Sequence, residues 1–284
     1  MKIRAYAKIN LGLYVLGRRP DGYHSIATVF RLVDLYDEIE IVQIDQGTQF
    51  TTNAVELQDD HSNLCVRAAN LLRDLTGIHV GVEINLTKRI PIGAGLGGGS
   101  SDAAAVLKGL TKLWALDISR EELQTVSASL GSDVPFFFTS QTASATGRGE
   151  VLESFDLKIP YTILLVTPNI NVSTSWAYSH LRLRVGTKRP DLRQVLEENL
   201  NDPGRLREYL VNDFEETVFE QYPEISSIKQ RLLSEGASFA LMSGSGSSVF
   251  GLFTDSSRAR NLAKQLAGTY AVSVTDQEFN PLIN

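Results

Sequence analysis

Residues 91–104 read Pro-Ile-Gly-Ala-Gly-Leu-Gly-Gly-Gly-Ser-Ser-Asp-Ala-Ala, and their chemistry is that of a phosphate cradle. Five glycines, Gly93, Gly95, Gly97, Gly98 and Gly99, remove the side chains that would hold a ligand off the backbone. Ser100 and Ser101 add hydroxyl donors where a following helix presents unpaired N–H groups and the positive end of its dipole. A second candidate is Asp133, in Ser132-Asp133-Val134-Pro135 before three phenylalanines. It suits the cap of a short helix with an early proline. An aspartate beside buried aromatics is also a candidate proton acceptor. A lysine nearby would keep it ionised and stabilise charge on a substrate hydroxyl, which is what phosphoryl transfer to an alcohol requires. A third candidate, the second glycine-serine run at 243–248, reads either as a hairpin turn or as a clamp offering donors from an opposite wall.

The elements around the loop decide which phosphate site it can be. Val80, Val82, Ile84 and Leu86 alternate with Gly81, Glu83, Asn85 and Thr87, a half-buried strand before the loop. Ala104, Leu107, Leu110, Thr111 and Trp114 recur at helical spacing after it. No loop glycine is followed by lysine, which excludes a Walker A loop. Gly93, Gly95 and Gly98 match the dinucleotide spacing, but that site needs a buried strand after the helix. Ser119-Arg120-Glu121-Glu122 is instead a capping box opening another helix, so the ribose-binding strand is missing.

Further along, residues 3–15 alternate. Ile3 to Val15 at odd positions form an apolar face, and Arg4, Tyr6, Lys8, Asn10, Gly12 and Tyr14 form a polar face open to solvent. Arg19-Pro20-Asp21-Gly22-Tyr23-His24 contains a turn, and 38–44 is a further strand. A second unit begins near residue 155. It has a strand at 161–166, helical patterns at 191–200 and at 205–235, the latter with a break expected near Pro223, a hairpin over 239–253, a helix at 256–267 and a strand at 270–275. That β-α-β-β-α-β order is ferredoxin-like. The expectation is an α+β chain in two domains, 1–154 and 155–284, with a cleft between them.

With 284 residues, 43% hydrophobic and 21% charged, the chain reads as an ordinary globular protein. The net charge of −6 argues against a nucleic-acid surface. One cysteine, Cys65, lies in a helical apolar run, fits a packing role and suits a reducing cytoplasm. No stretch resembles a signal peptide or a membrane span.

The combination of a lysine-bearing first strand, Pro-x-x-x-Gly-Leu-Gly-x-Gly-Ser-Ser and a late Gly-Ser-Gly turn resembles the GHMP kinase superfamily. Ala7-Lys8-Ile9-Asn10-Leu11, the Asp-Gly-Tyr-His segment, Gly131-Ser132-Asp133-Val134-Pro135-Phe136 and Asn212-Asp213-Phe214-Glu215 resemble its branch acting on a cytidine-diphosphate alcohol. In that branch the 2-hydroxyl of 4-diphosphocytidyl-2-C-methyl-D-erythritol is phosphorylated in the non-mevalonate isoprenoid route.

The resemblance implies a first domain like domain 2 of ribosomal protein S5, a ferredoxin-like second domain, and ATP with Mg²⁺. It implies Asp133 as base and Lys8 as its electrostatic partner. The ATP phosphates would lie against Pro91, Ile92, Gly93, Ala94, Gly95, Leu96, Gly97, Gly98, Gly99, Ser100 and Ser101, and adenine near Asn63 and Leu64. Ser101 is the candidate metal contact. The substrate would meet Asn10, Tyr23, His24, Gly244 and Ser245, with Tyr178 or Trp176 as second stacking partner. The expected protein is a cytoplasmic monomer or weak homodimer that binds neither nucleic acid nor membrane. Other readings are a kinase of the superfamily for mevalonate, homoserine or a sugar, and an RNA-binding module.

Overall fold

The computed structural model describes residues 1–57, 62–183 and 189–281. Two long strands, β1 (Lys2–Arg18) and β2 (His24–Ile44), form its spine. The Pro-Asp-Gly turn joins them, with Gly22 at φ 86° and the Arg19 N–H donating to the Tyr23 carbonyl at 2.7 Å. β1 runs along one edge of β2. The other edge of β2 is shared by β4 (Gly81–Thr87) and β5 (Thr142–Thr146). β3 (Thr48–Thr52), parallel to β4, and β6 (Val151–Ser154), antiparallel to β5, complete six strands.

Helices α1 (Leu64–Thr76) and α2 (Gly98–Leu113) bury their apolar faces against this sheet. α3 (Arg120–Ser127) begins at the expected capping box, and Val134–Phe138 forms a 3-10 turn. Cys65 is buried in this core, where desolvation raises the thiol well above its ordinary pKa, in keeping with a packing role.

The second sheet has the order β10-β7-β9-β8, antiparallel throughout, with β7 (Thr162–Thr167), β8 (Phe239–Met242), β9 (Val249–Phe253) and β10 (Ala271–Thr275). This is the ferredoxin-like arrangement, with α8 (Pro223–Ser234) and α9 (Ser256–Leu266) as its two helices. Four shorter helices lie between β7 and α8: α4 (Thr174–His180), α5 (Leu192–Asn199), α6 (Pro203–Tyr209) and α7 (Glu215–Gln221). The helical run read over 205–235 is thus three helices. It breaks at Pro223 and at 210–214, where the Leu13 N–H donates to the Val211 carbonyl and the Asp213 N–H to the Leu13 carbonyl. Pairing with β1 overrides the helical pattern there.

β1 corrects another expectation. From residue 8 to residue 14 its even-numbered face is not solvated: Lys8 is buried among Phe30, the glycine loop and Asp133, and Asn10, Gly12 and Tyr14 are covered by Ser243, Leu192 and Tyr209 from the second half of the chain. Nor do the odd positions share one face. Asn10 pairs with Phe30 but Leu13 with Thr28, so one extra residue bulges out around Gly12 (φ 93°). Ile9 and Leu11 therefore pack in one core with Tyr161, Ile163 and Phe250. Leu13 and Val15 pack in another with Leu164 and Val218. Among the described residues no helix is long and apolar enough to cross a membrane.

Lys108 on α2 carries a cost. It lies over the Phe138 ring at 5.4 Å, and burial, with Arg120 and Lys112 adding repulsion, lowers its pKa to about 8. Between that value and the ordinary lysine value the unfolded chain holds the proton and the folded chain has lost it, so stability rises with pH there. Lys108→Met should raise stability at pH 7 by up to about 2 kcal/mol. Denaturant unfolding should show that gain shrinking as pH rises from 8 towards 10.

Candidate active site

A cleft of about 650 Å³ lies between the two halves, and all of residues 91–100 line it. The loop folds as it does because Gly93, Gly95 and Gly97 adopt left-handed φ of 66°, 76° and 66°. They also leave room for the protein itself. A Cβ at Gly93 would strike the Asn171 side chain, one at Gly95 the Ser243 carbonyl oxygen, and one at Gly97 would lie 3.1 Å from Lys8. Gly99 is different, with only Leu64 at 3.5 Å from its Cβ position. A Cβ at Gly98 would lie 2.9 Å from both Ile90 and Lys88 Nζ, so four of the five glycines serve the loop's own packing.

α2 starts at this loop without a side-chain cap, whereas α1, α3 and α5 are capped by Asn63, Ser119 and Asp191. The N–H groups of its first turn and the positive dipole end are thus turned to the cleft, an arrangement suited to phosphate. Ser100 lines the cleft. Ser101 does not: its hydroxyl is buried and donates to the Tyr6 carbonyl at 2.7 Å, and helix geometry turns it towards β1.

Lys8 is buried (4% exposed), and its ammonium has three oxygen partners. Asn10 Oδ1 is 2.8 Å away, the Gly95 carbonyl 3.3 Å and Asp133 Oδ2 3.5 Å. Burial lowers the lysine pKa, and Asp133 counteracts it. Asp133 stands at the start of the 3-10 turn but makes no capping hydrogen bond, so the capping alternative fails. Its carboxylate faces Lys8 and is about one-third exposed to the cleft.

Asn10 lines the cleft, and its amide is also engaged inside the protein. Oδ1 accepts from Lys8 and Nδ2 donates to Thr28 Oγ1 at 2.9 Å. It therefore braces Lys8, and its second Nδ2 hydrogen has no partner among the described residues. Asn63 and Leu64 line the cleft at the start of α1.

At the other end of the cleft, Tyr178 contacts the Phe214 ring edge-on at 4.8 Å and is covered by His24, stacked at 4.8 Å and 19°. Burial and the Asp133 charge raise its hydroxyl to about 12. Trp176 stacks on His180 and meets Tyr222, outside the cleft. Of the two alternatives Tyr178 is thus the cleft residue. Tyr23 is 57% exposed on the turn, under the Arg148 guanidinium at 4.9 Å. Neither it nor His24 lines the cleft itself.

The turn at 243–248 is buried throughout. Ser243 Oγ donates to the Gly95 carbonyl at 2.9 Å and accepts from the Asn10 N–H at 3.2 Å. The Ser248 N–H donates to the Ala94 carbonyl at 3.2 Å. Asn212 Nδ2 holds the turn from behind through the Met242 and Gly244 carbonyls, each at 2.8 Å. This is the opposite wall of the cleft, packed against the loop. Gly244 and Ser245 line it.

Sequence reasoning missed Lys88, Asp37 and Asp102. Lys88 Nζ is buried between Asp37 Oδ2 and Asp102 Oδ2, the latter at 2.8 Å. Asp37 Oδ1 also accepts the Arg89 and Ile90 N–H groups. The chain leading into the loop is thereby tied both to β2 and to α2. Burial pushes the Asp102 carboxyl up to about 7 against the pull of Lys88, with Asp37 adding to the rise. A lysine ending a strand next to Arg89 gives no sequence signal of burial. Arg148 and Thr174, also on the cleft, were missed too.

Residues 63–141 match the family model for the GHMP kinases N terminal domain and residues 189–272 that for GHMP kinases C terminal. The chain is 43% identical to a 4-diphosphocytidyl-2-C-methyl-D-erythritol kinase of Chlorobium phaeobacteroides (strain BS1), over 98% of each chain. It is 44% identical to one of Geobacter metallireducens, over 95% of each. A crystal structure of a 4-(cytidine 5'-diphospho)-2C-methyl-D-erythritol kinase superposes with a TM-score of 0.83 at 36% identity, covering 97% of this chain and 98% of the other. A homoserine kinase from Cytophaga hutchinsonii shares the fold, with a TM-score of 0.71 at 18% identity over 95% and 94%.

Lys88→Met would strand two buried carboxylates, a loss of about 3–5 kcal/mol. Urea unfolding should show that loss at pH 8. It should narrow at pH 5, below the raised value of Asp102, where that orphaned carboxyl takes up a proton.

Proposed function

Since the chain belongs to the 4-diphosphocytidyl-2-C-methyl-D-erythritol kinases of the GHMP superfamily, we propose how its cleft phosphorylates the 2-hydroxyl of that substrate. The protein is an ATP-dependent small-molecule kinase. One observation carries the site reading: a single cleft joins the uncapped start of α2, the Lys8–Asp133 pair and the Tyr178 ring.

The triphosphate lies against the N–H groups of 98–100, with adenine beside Asn63 and Leu64. Asp133 takes the proton of the acceptor hydroxyl as its oxygen attacks the γ-phosphorus and the bond to ADP breaks. The Lys8 ammonium stabilises the charge gathering on that oxygen. Neither group needs to travel, because Asn10 and Gly95 fix the lysine. Cytosine is read at the far end by the Tyr23–His24 turn and on Tyr178, in the place that His24 takes in this structure and yields to the base. Burial first, then Arg18, lowers the His24 pKa, so the ring is neutral at pH 7. A neutral imidazole offers one donor and one acceptor to a base edge.

ATP enters as its Mg²⁺ complex. No group of three or more His, Cys, Asp or Glu side chains fit to hold a metal lies among the described residues. The donors present, Ser100 and Asp133, fit an ion carried mostly by phosphate oxygens and water. The buried Ser101 hydroxyl is withdrawn from that role.

Asp133→Asn should lower kcat by about 10²–10⁴-fold while ATP affinity in a direct titration stays the same. Unimpaired turnover would remove Asp133 as the base. Tyr178→Ala should raise KM for the cytidine substrate by about 5- to 150-fold, the equivalent of ~1–3 kcal/mol of base stacking. ATP consumption with 4-diphosphocytidyl-2-C-methyl-D-erythritol should far exceed that with mevalonate or homoserine. The reverse order would overturn the substrate reading.

A further inference from the structure

Three cationic side chains line the cleft among the described residues: Lys8, Lys88 and Arg148. Two of them are already matched. Lys8 is held by Asn10, Gly95 and Asp133, and Lys88 lies between two buried carboxylates. The Arg148 guanidinium makes no hydrogen bond among the described residues. Its one ion pair, to Glu150, spans 3.5 Å, and the Glu150 carboxylate also accepts the Arg148 backbone N–H.

The position of Arg148 is equally specific. It lies on the turn between β5 and β6, which the Ile26 N–H fastens to β2 through the Gly147 carbonyl at 2.8 Å. On one side its guanidinium covers the Tyr23 ring at 4.9 Å. On the other, the Cβ position of Gly149 lies only 3.6 Å from Asp133 Oδ1. Arg148 thus stands between the group that accepts the hydroxyl proton and the turn that reads the base. In a cytidine-diphosphate alcohol, the diphosphate lies between those same two parts.

We propose that Arg148 is the diphosphate-binding residue of the acceptor substrate and sets the enzyme's preference for a nucleoside diphosphate ester over an uncharged alcohol. This rests on the substrate reading above and extends it. An arginine fork suits two phosphate oxygens at once, and the partly shielded cleft strengthens the contact. Glu150, at its longer distance, yields the guanidinium to the stronger anion and keeps the turn in shape through the backbone N–H. Stacking on Tyr23 holds the planar group ready.

The test compares Arg148→Met and Arg148→Lys with the unaltered enzyme. It measures KM for the cytidine substrate and for ATP, and inhibition constants for CDP and for cytidine. Arg148→Met should raise the substrate KM and the CDP inhibition constant by about 10- to 100-fold, the usual worth of a hydrogen-bonded charge. Cytidine inhibition and the KM for ATP should move less than about twofold, because neither ligand presents a diphosphate to this turn. Arg148→Lys should fall between, since a lysine keeps the charge without the fork.

Equal weakening of CDP and cytidine would assign the arginine to the base and overturn the proposal, as would no change in either. If the unaltered enzyme neither turned over the substrate nor bound CDP, the substrate reading would fall and this one with it. If it did both and Arg148→Met behaved like it, the arginine assignment alone would fall.

Discussion

A buried ammonium must find oxygen on every side it presents, and in this protein that demand falls on Lys8. Desolvation lowers its pKa, so the charge persists only through its neighbours. The three it has come from three places in the chain: β1 itself, the glycine loop and the 3-10 turn. Each is held in turn by something else. Thr28 fixes Asn10, and Ser243 bridges Gly95 to the Asn10 backbone. Asn212 then holds the Ser243 turn. The glycine loop, Asp133 and both sheets are therefore parts of one network of polar contacts.

That network revises the meaning of the glycines. Read as residues, they made space for a ligand. In the fold, Gly93, Gly95 and Gly97 make space for Asn171, Ser243 and Lys8, and only Gly99 leaves a side free towards the cleft and Leu64. A loop pressed this closely against its own protein presents the α2 N–H groups in one fixed arrangement. Preorganised donors of this kind need no rearrangement when charge shifts from one oxygen to another, and that is where they contribute most to rate.

What could be read from the residues was local. The apolar spacing of α1, α2, α9, β4 and β7 and the capping box of α3 depend on near neighbours, and all stand in the fold. Lys8 and Asp133 were legible through motifs, but their 3.5 Å approach spans most of the first half of the chain. What escaped was set by distant partners. β2 runs well beyond its apolar stretch because β1, β4 and β5 all pair with it. Residues 210–214 leave helix because Leu13 offers them a β-type contact. Lys88 is buried only because Asp37 and Asp102, 51 and 14 positions away, close around it. Arg148, between two glycines, carried no periodicity at all.

The bulge at Gly12 extends this dependence to the chain's tolerance of insertion and deletion. One inserted residue lets a single strand turn Ile9 and Leu11 into one core and Leu13 and Val15 into another. Side chains on a strand change face with every step, so the count of residues between Asn10 and Leu13 acts as a gear between the two cores. Losing or gaining one residue there would leave every amino acid type in place and yet present Leu13, Tyr14 and Val15 to the wrong partners. A substitution in this strand is paid locally, but a one-codon slip would disengage both halves of the protein at once.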